Sequence, residues 1–414
     1  MKAEIITIGD ELLIGQVIDT NSAWLGQQLS SLGITLYQRT ACGDSREQIL
    51  SCLHDASLRS DIIIITGGLG PTKDDITKKT LCEYFDTTLV TDGKVLEWVT
   101  SIFKMRKMPM LDVNLQQAMI PANSKTLWNR SGTAPGMWFD INNKIYISLP
   151  GVPFEMKVIF EEETIPLLKQ KFELPFIYHR TLQTCSIGES FLANKIKDIE
   201  ENLPEYIKLA YLPSVGTVRL RLSANGNNKL QLETEVAQIC NQLYERIGQY
   251  IYGEGNDSLN EVIGILLKGK NKTLATAESC TGGFIAHQIT SIAGSSKYYK
   301  GSIVSYDNSI KQLELNVSDE ILKTVGAVSE ACVKQMAAEV LKKIDVDYAI
   351  ATSGIAGPDG GSVEKPVGTV WIAIASKDKV IAQMFNMGDN RERTILRTCL
   401  MSLDMLRKIL LEDN

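Results

Sequence analysis

The stretch Asp61-Ile-Ile-Ile-Ile-Thr-Gly-Gly-Leu-Gly-Pro-Thr-Lys-Asp-Asp-Ile-Thr77 decides how the chain folds. Four successive isoleucines without polar alternation describe a strand buried on both faces, and such strands belong to parallel sheets covered by helices. The glycines that follow let a ligand approach the backbone at the strand's carboxyl end, and the next helix start offers N–H groups to an anion. Working outward, Ala3 to Ile8 and Ile34 to Tyr37 read as strands, and Asn21 to Leu32 and Arg46 to Leu58 as helices. Lys144 to Gly151 is a further strand ending in a turn, before a helix from Pro153 to Lys171. This rhythm predicts a first α/β domain over 1–172.

The next segment has a different order. Tyr178 to Thr184 reads as a strand, Glu189 to Ile199 as a helix, and Ile207 to Leu212 and Val218 to Leu222 as two strands. An amphipathic helix from Leu230 to Ile247 and a strand from Gln249 to Tyr252 complete βαββαβ. That order predicts a small ferredoxin-like α+β module over 173–253, with no concentrated chemistry and the look of a spacer or dimerisation element. Turn-forming residues from Gly253 to Asp257 lead into a second α/β domain over 254–414, with a helix over Leu259 to Leu267 and a strand over Lys272 to Thr276. A strand over Tyr348 to Ala351 follows, and a terminal amphipathic helix runs from Thr394 to Leu411.

Charge and composition exclude several classes. The 43 Lys and Arg against 49 Asp and Glu give a net charge of −6, which argues against nucleic acid or an anionic membrane as the main partner. The apolar runs are too short to span a bilayer, and Met1 is followed almost at once by a strand, so a soluble cytoplasmic protein is expected. The eight Cys form no C-x-x-C pair and read as reduced thiols. The three His are isolated in sequence, which disfavours a His-based metal site or a Ser-His-Asp triad.

Three constellations carry chemistry. In the first, Gly67, Gly68, Gly70, Pro71 and Thr72 form the loop, and Asp74 and Asp75 add carboxylates suited to holding a divalent cation against a pyrophosphate. Asp10, Glu11 and Asp19 follow the first strand, which in a parallel sheet can neighbour this loop. The alternative is a tight βα turn with Asp caps. The loop matches neither G-x-G-x-x-G nor a Walker A sequence. The second constellation is Thr276-Ala-Glu-Ser-Cys-Thr-Gly-Gly283, again between a strand and a helix, with Ser279 and Cys280 as two possible nucleophiles. Lys311 is a plausible base if it is desolvated, and otherwise a solvated surface lysine. The third is Ser353-Gly-Ile-Ala-Gly-Pro-Asp-Gly-Gly-Ser362, whose glycines, with Arg391, Arg393 and Arg397 at the start of the last helix, suit a phosphate- or carboxylate-bearing ligand. At least one of these arginines belongs to a solvated helix face.

With these motifs in view, the whole chain resembles the competence/damage-inducible CinA family. The N-terminal segments that carry the resemblance are Ile8-Gly-Asp-Glu-Leu-Leu-Ile-Gly15, Asp19-Thr-Asn21, Gly67 to Asp75, Gly132-Thr-Ala-Pro-Gly136 and Leu149-Pro-Gly-Val-Pro153. This domain is also similar to the molybdopterin-binding fold of molybdenum-cofactor biosynthesis enzymes. The resemblance implies a metal-dependent ADP-ribose pyrophosphatase, with Asn21, Gly132 and Thr133 joining the glycine loop at the nucleotide. Asp75 falls on the position of a functional aspartate, with Asp74, Asp19 and Glu11 as further candidate metal ligands. The ion implied is Mg²⁺ or a similar divalent cation, with K⁺ as a candidate companion.

The C-terminal domain is similar to the amidohydrolases that convert nicotinamide mononucleotide (NMN) to nicotinate mononucleotide and ammonia, which need no cofactor. The resemblance carries the nucleophile onto Ser279, the base onto Lys311 and a third catalytic position onto Tyr306, through a Tyr-x-Asn-x-x-Lys segment at Tyr306, Asn308 and Lys311 in which Asn308 contacts the substrate. Substrate contacts fall on Glu278, Cys280, Thr281, Gly282, Gly283, Gly354, Gly357, Gly360 and Gly361. Where the family reads Gly-Asp-Arg-x-x-Val-Arg, this chain has Gly388-Asp-Asn-Arg-Glu-Arg-Thr-Ile-Leu-Arg397, so the phosphate contact falls on Arg391 or Arg393. The oxyanion is expected at backbone N–H groups near the Gly282-Gly283 turn. A homodimer handling small nucleotides in pyridine-nucleotide salvage is implied. The alternative is a non-catalytic nucleotide-binding partner in DNA uptake or damage responses.

Overall fold

The computed structural model describes residues 1–72 and 75–413. The chain divides into two compact units, Met1–Tyr178 with Asn225–Lys229, and His179–Ala224 with the chain from Leu230 onward. In the first unit the strands are β1 (Lys2–Ile8), β2 (Thr35–Cys42), β3 (Ile62–Thr66), β4 (Leu89–Thr91), β5 (Met119–Pro121), β6 (Lys125–Leu127), β7 (Gly136–Ile141) and β8 (Lys144–Leu149). The main sheet runs β2-β1-β3-β8-β7-β6, and β4 pairs with β5 separately. The neighbours from β2 to β8 are parallel, while β7 and β6 pair antiparallel.

The isoleucines of β3 explain why this sheet is covered twice. Ile62 and Ile64 pack with Leu25, Leu29 and Met156 on one face, and Ile63 and Ile65 with Ile49, Leu53 and Leu81 on the other. All four are fully buried, each contributing roughly 1.5–3 kcal/mol of transfer free energy. The antiparallel β7 joins β8 through Asn142 and Asn143, both at positive φ (52° and 60°), the backbone signature of a two-residue hairpin turn. The helix expected from Pro153 to Lys171 is observed, with a π turn over Phe160–Thr164 just before Pro166, where a proline lacks the N–H of a regular turn.

The second unit holds two sheets. β9 (Phe176–Cys185), β10 (Ile207–Ser214), β11 (Thr217–Gly226) and β12 (Ile251–Glu254) make a four-stranded sheet in the order β10-β11-β9-β12. With the helices Glu189–Glu201 and Lys229–Ile247 this is the βαββαβ module read from sequence. The five-stranded sheet is β14-β13-β15-β16-β17, built from β13 (Leu274–Glu278), β14 (Tyr299–Val304), β15 (Tyr348–Gly354), β16 (Thr369–Ser376) and β17 (Val380–Asn386). β14, β13 and β15 are parallel, and β16 and β17 continue antiparallel. The ends of β13, β14, β15 and β17 therefore lie at one edge, which gathers the chemistry-bearing loops. Side-chain size alternates across this sheet. Tyr348, Ile350 and Ile372 face the terminal helix, while Ala349, Ala351 and Ala373 face the helix Glu330–Ile344. No described helix is long and apolar enough to cross a membrane.

Candidate functional site

At the carboxyl edge of the five-stranded sheet, Ser279, Cys280, Tyr306, Asn308, Lys311 and Arg391 line one cavity of about 200 Å³, with Gly354 at its wall. Ser279 directly follows β13, and its own N–H donates to the Thr352 carbonyl of β15 at 3.0 Å. Lys311 lies in the helix Asn308–Leu315, which follows β14 and is capped by the Asp307 side chain. That placement buries the lysine to 1% exposure, so it is not the solvated surface residue its type suggests. Its Nζ donates to the Ser305 and Tyr306 carbonyls at 2.8 and 3.1 Å. Burial lowers its pKa below the ordinary lysine value. Cys280 lines the same cavity, but burial pushes its thiol up to about 12, which withholds the thiolate that nucleophilic attack requires.

Two expected roles are reassigned by the hydrogen bonds. The Glu278 carboxylate is fully buried and accepts from the N–H groups of Gly283 (3.0 Å), Ile285 (3.0 Å) and Ala286 (2.8 Å). It therefore caps the helix Phe284–Thr290 from beneath the loop and does not line the cavity. The Gly282 N–H donates to the Ser279 carbonyl at 3.1 Å, so both glycine donors expected at the oxyanion are already engaged. Among the described residues, no other residue accepts from the Cys280 or Thr281 N–H, and of the two only Cys280 lines the cavity. The Thr281 hydroxyl bonds Thr352 at 2.8 Å, deep in the loop's base.

Arg391 reaches over the cavity. Its Nη1 donates to the Gly357 carbonyl and its Nη2 to the Tyr306 hydroxyl, both at 2.9 Å. Arg393 is exposed and absent from the lining, as are Gly360 and Gly361, while Arg397 lines a different cavity. Of the two arginines left open by the sequence, the structure brings Arg391 to the serine and the lysine.

In the first unit, Gly70, Pro71, Thr72 and Asp75 line a cavity of about 440 Å³. The Asp75 carboxylate accepts from the N–H groups of Gly70 and Thr72, each at 2.8 Å, and from the Thr72 hydroxyl. Gly67 sits at φ +117°, where a Cβ would overlap the Ile8 carbonyl, so the strand end permits only glycine. Gly68, beside it, also lies outside this lining. Asn21 spans the sheet end, donating to Gly151 O at 2.7 Å and Thr66 Oγ1 at 3.4 Å, and its buried Oδ1 has no partner among the described residues. Gly132 lies against the Glu155 carboxylate, and the Thr133 hydroxyl donates to Gln117 at 3.4 Å.

Three family models match consecutive parts of the chain. A probable molybdopterin binding domain covers residues 4–170, a damage-inducible protein CinA KH domain 179–253, and a CinA C-terminal domain 256–410. A CinA-like protein of Cytophaga hutchinsonii is 51% identical over 410 residues, covering 99% of this chain and 98% of that protein. A CinA-like protein of Flavobacterium psychrophilum is 48% identical over 415 residues, covering 100% and 99%. The chain belongs to the CinA family. The solved competence/damage-inducible protein CihA of Agrobacterium tumefaciens aligns with 38% identity and a TM-score of 0.36, over 37% of this chain and 96% of that one.

Within this CinA chain, the expected acidic residues that are described, Asp19, Glu11 and Asp75, do not form one cluster. Asp19 caps the helix Thr20–Ser31, accepting from the Ser22 N–H at 2.9 Å and its hydroxyl at 2.5 Å. Glu11 is exposed on the short helix Asp10–Leu13, and Asp74 lies outside the described residues. Among the described residues no cluster of three His, Cys, Asp or Glu is placed to hold an ion. Asp75, already engaged by three donors, does not make a cation cradle alone.

The sequence reading missed Lys78 and Gln117. Lys78 is 8% exposed, lines the CinA chain's larger cavity beside Asp75, and donates to the Gln117 carbonyl at 2.9 Å. Burial brings its pKa down to about 8. Only its position one residue into a helix, directly after the glycine loop, hinted at this in sequence.

Proposed function

We propose that the C-terminal site of this CinA protein hydrolyses the carboxamide of nicotinamide mononucleotide, giving nicotinate mononucleotide and ammonia. The observation that carries the reading is one small cavity lined by a serine, a buried lysine and an arginine. An uncharged lysine amine has two N–H bonds and one lone pair. With two donor positions on the Ser305 and Tyr306 carbonyls, the lone pair is what remains to take a proton.

In the proposed reaction, Ser279 Oγ attacks the carboxamide carbon while Lys311 Nζ accepts the hydroxyl proton. The N–H of Cys280, the residue next to Ser279 in the cavity lining, is the donor assigned to the charge that develops on the amide oxygen. Collapse breaks the C–N bond, the lysine returns the proton to the departing nitrogen, and ammonia leaves. Water, deprotonated by the same amine, then cleaves the acyl ester and restores Ser279. Arg391 holds the substrate phosphate. An ammonia-release assay with NMN tests the reading, and no release by the intact protein would sink it. A homodimer belongs to the same proposal and is checked by sedimentation.

The N-terminal cavity supports a second reading, a nucleotide diphosphate site with ADP-ribose as the proposed ligand. Lys78 and Lys79 offer positive charge beside the Gly70–Thr72 backbone. A divalent cation would enter with the diphosphate, since Mg²⁺ commonly binds through one or two carboxylates together with substrate phosphates. Pyrophosphate cleavage of ADP-ribose, and its loss on chelation, is the corresponding assay.

A further inference from the structure

A third cavity, of about 380 Å³, lies inside the second unit between the βαββαβ module and the last helix, Arg391–Glu412. Its volume falls in the range of small-molecule pockets, roughly 300–1,000 Å³. One wall is apolar, with Ile187, Val218, Phe385, Leu400 and Met401. The charged group set into it is Arg397, which is half-buried and donates from Nη1 to the Met387 carbonyl at 2.9 Å. Among the described residues Arg397 has no carboxylate partner, its side-chain hydrogen bond being the one to Met387 O, and the Glu189 that also lines the cavity is exposed. A guanidinium with remaining donors beside an apolar wall suits a ligand with an anionic group on a ring-bearing body. A bare inorganic anion would leave that wall facing water.

The module is held firmly enough to form such a site. The Asp404 carboxylate, fully buried on the last helix, accepts from Ser186 at 2.5 Å, from Arg407 at 2.8 Å and from Lys408 at 2.8 Å. Arg407 in turn donates to the Ile251 and Gln249 carbonyls at 3.0 and 2.7 Å. The β10–β11 turn also rests on the helix, because a Cβ on Gly216 would lie 2.8 Å from Leu400 Cδ1.

The segment from Asn386 to Arg391 joins this cavity to the catalytic one. Asn386 and Met387 line the third cavity, and the Met387 N–H donates at 2.8 Å to the Gly368 carbonyl, at the base of the glycine loop. The Gly388 carbonyl accepts from Thr394 at 3.2 Å, and Arg391 lines the catalytic cavity three residues further on. Arg391 and Arg397 share one helix, six residues and about 9 Å apart.

We propose that this cavity is a second ligand site, for a mononucleotide-class molecule carrying a phosphate, and that its occupancy is transmitted to Arg391 through the Asn386–Arg391 segment. The transmission part rests on the catalytic reading above, while the binding part does not. The probe is AMP, titrated by calorimetry into the full-length protein, with inorganic phosphate in a parallel titration. Arg397→Met removes the guanidinium, and Ser214→Trp fills the exposed mouth of the cavity while leaving Arg397 in place. Both variants are expected to lose one AMP equivalent per chain, or at least tenfold in its affinity, while AMP held elsewhere in the wild type is retained. In the wild type, AMP is expected to change the KM for NMN at least threefold, an effect absent from both variants.

Unchanged AMP stoichiometry and affinity in Ser214→Trp would overturn the site, even if Arg397→Met failed to fold. Phosphate binding as tightly as AMP would overturn the ligand class. Loss of AMP binding in the variants with no AMP effect on wild-type turnover would overturn the transmission. Absence of NMN turnover under every condition counts against the catalytic reading alone, and the calorimetry still decides the site.

Discussion

Two glycine loops in this protein follow buried strands, and each carries a carboxylate beneath or within it and a buried lysine beside it. In the C-terminal loop, Glu278 takes three N–H groups from the next helix, which leaves Ser279 facing a cavity. In the N-terminal loop, Asp75 takes the Gly70 and Thr72 N–H groups and also the Thr72 hydroxyl, the oxygen that would otherwise be the counterpart of Ser279. Lys311 comes from the helix that follows a different strand, β14, and shares its cavity with the Ser279 hydroxyl, which has no hydrogen-bond partner among the described residues. Lys78 comes from the loop's own helix and shares its cavity with a hydroxyl already bound to a carboxylate. On the proposed reading, one loop serves attack by the protein and the other serves holding charge.

The largest expected effect tests that contrast directly. Ser279→Ala should lower ammonia release from NMN by at least about 10³-fold, whereas Cys280→Ala should stay within about tenfold of wild type. The reverse ranking would return the nucleophile to Cys280 despite its raised pKa. Lys311→Met should cost about 10²–10⁴-fold. Only the uncharged amine accepts the serine proton, so wild-type kcat/KM should rise with pH and level off below the ordinary lysine pKa of about 10.4. A profile flat from pH 6 to 10 would remove Lys311 from that role.

Much of this architecture was legible in the sequence, for identifiable reasons. Buried parallel strands are continuous apolar runs, so β1, β3 and β13 stand out, and with them the loops at their carboxyl ends. β7 was missed although Ile141-Asn-Asn-Lys144 carries a hairpin turn signal, because Met137 to Phe139 has no polar alternation to frame it. Burial of Lys311 was legible only as one of two alternatives. A helix placed over a sheet edge can bury any residue type, and one-dimensional spacing does not record the Ser305 and Tyr306 carbonyls that receive its amine. The place of the Glu278 carboxylate, beneath the loop, was not legible for a similar reason. Adjacency to a nucleophile in sequence suggests contact with substrate, but alternate residues leaving a strand point to opposite sides. Glu278 and Ser279 therefore face the helix start and the cavity respectively.

A smaller effect follows from that alternation. Glu278→Gln keeps one acceptor oxygen where the carboxylate has two, leaving at least one helix N–H unsatisfied in a buried site. The expected cost is about 1–3 kcal/mol, read as a lower melting temperature by roughly 2–4 °C per kcal/mol. Deamidation should fall as well, with KM less affected than kcat, because the loop that presents Ser279 loosens while Arg391 stays. A variant as stable as wild type would mean that the carboxylate does not carry the loop.

The smallest expected effect is also the sharpest test of the contrast, because the two lysines should respond to pH with opposite signs. On the proposed mechanism Lys311 must lose its proton to act, so the C-terminal activity should rise with pH. Lys78 must keep its proton to attract a diphosphate, and burial has brought its pKa down to about 8. ADP-ribose affinity should therefore be greatest below about pH 8 and fall above it, by about tenfold across two pH units. Lys78→Met should bind about tenfold more weakly at pH 7, equivalent to about 1.4 kcal/mol, and should lose that pH dependence. Lys78→Arg, charged at every pH tested, should hold the affinity flat. If wild-type affinity instead rises with pH in parallel with ammonia release, Lys78 acts as a base, and the two loops are variants of one chemical design.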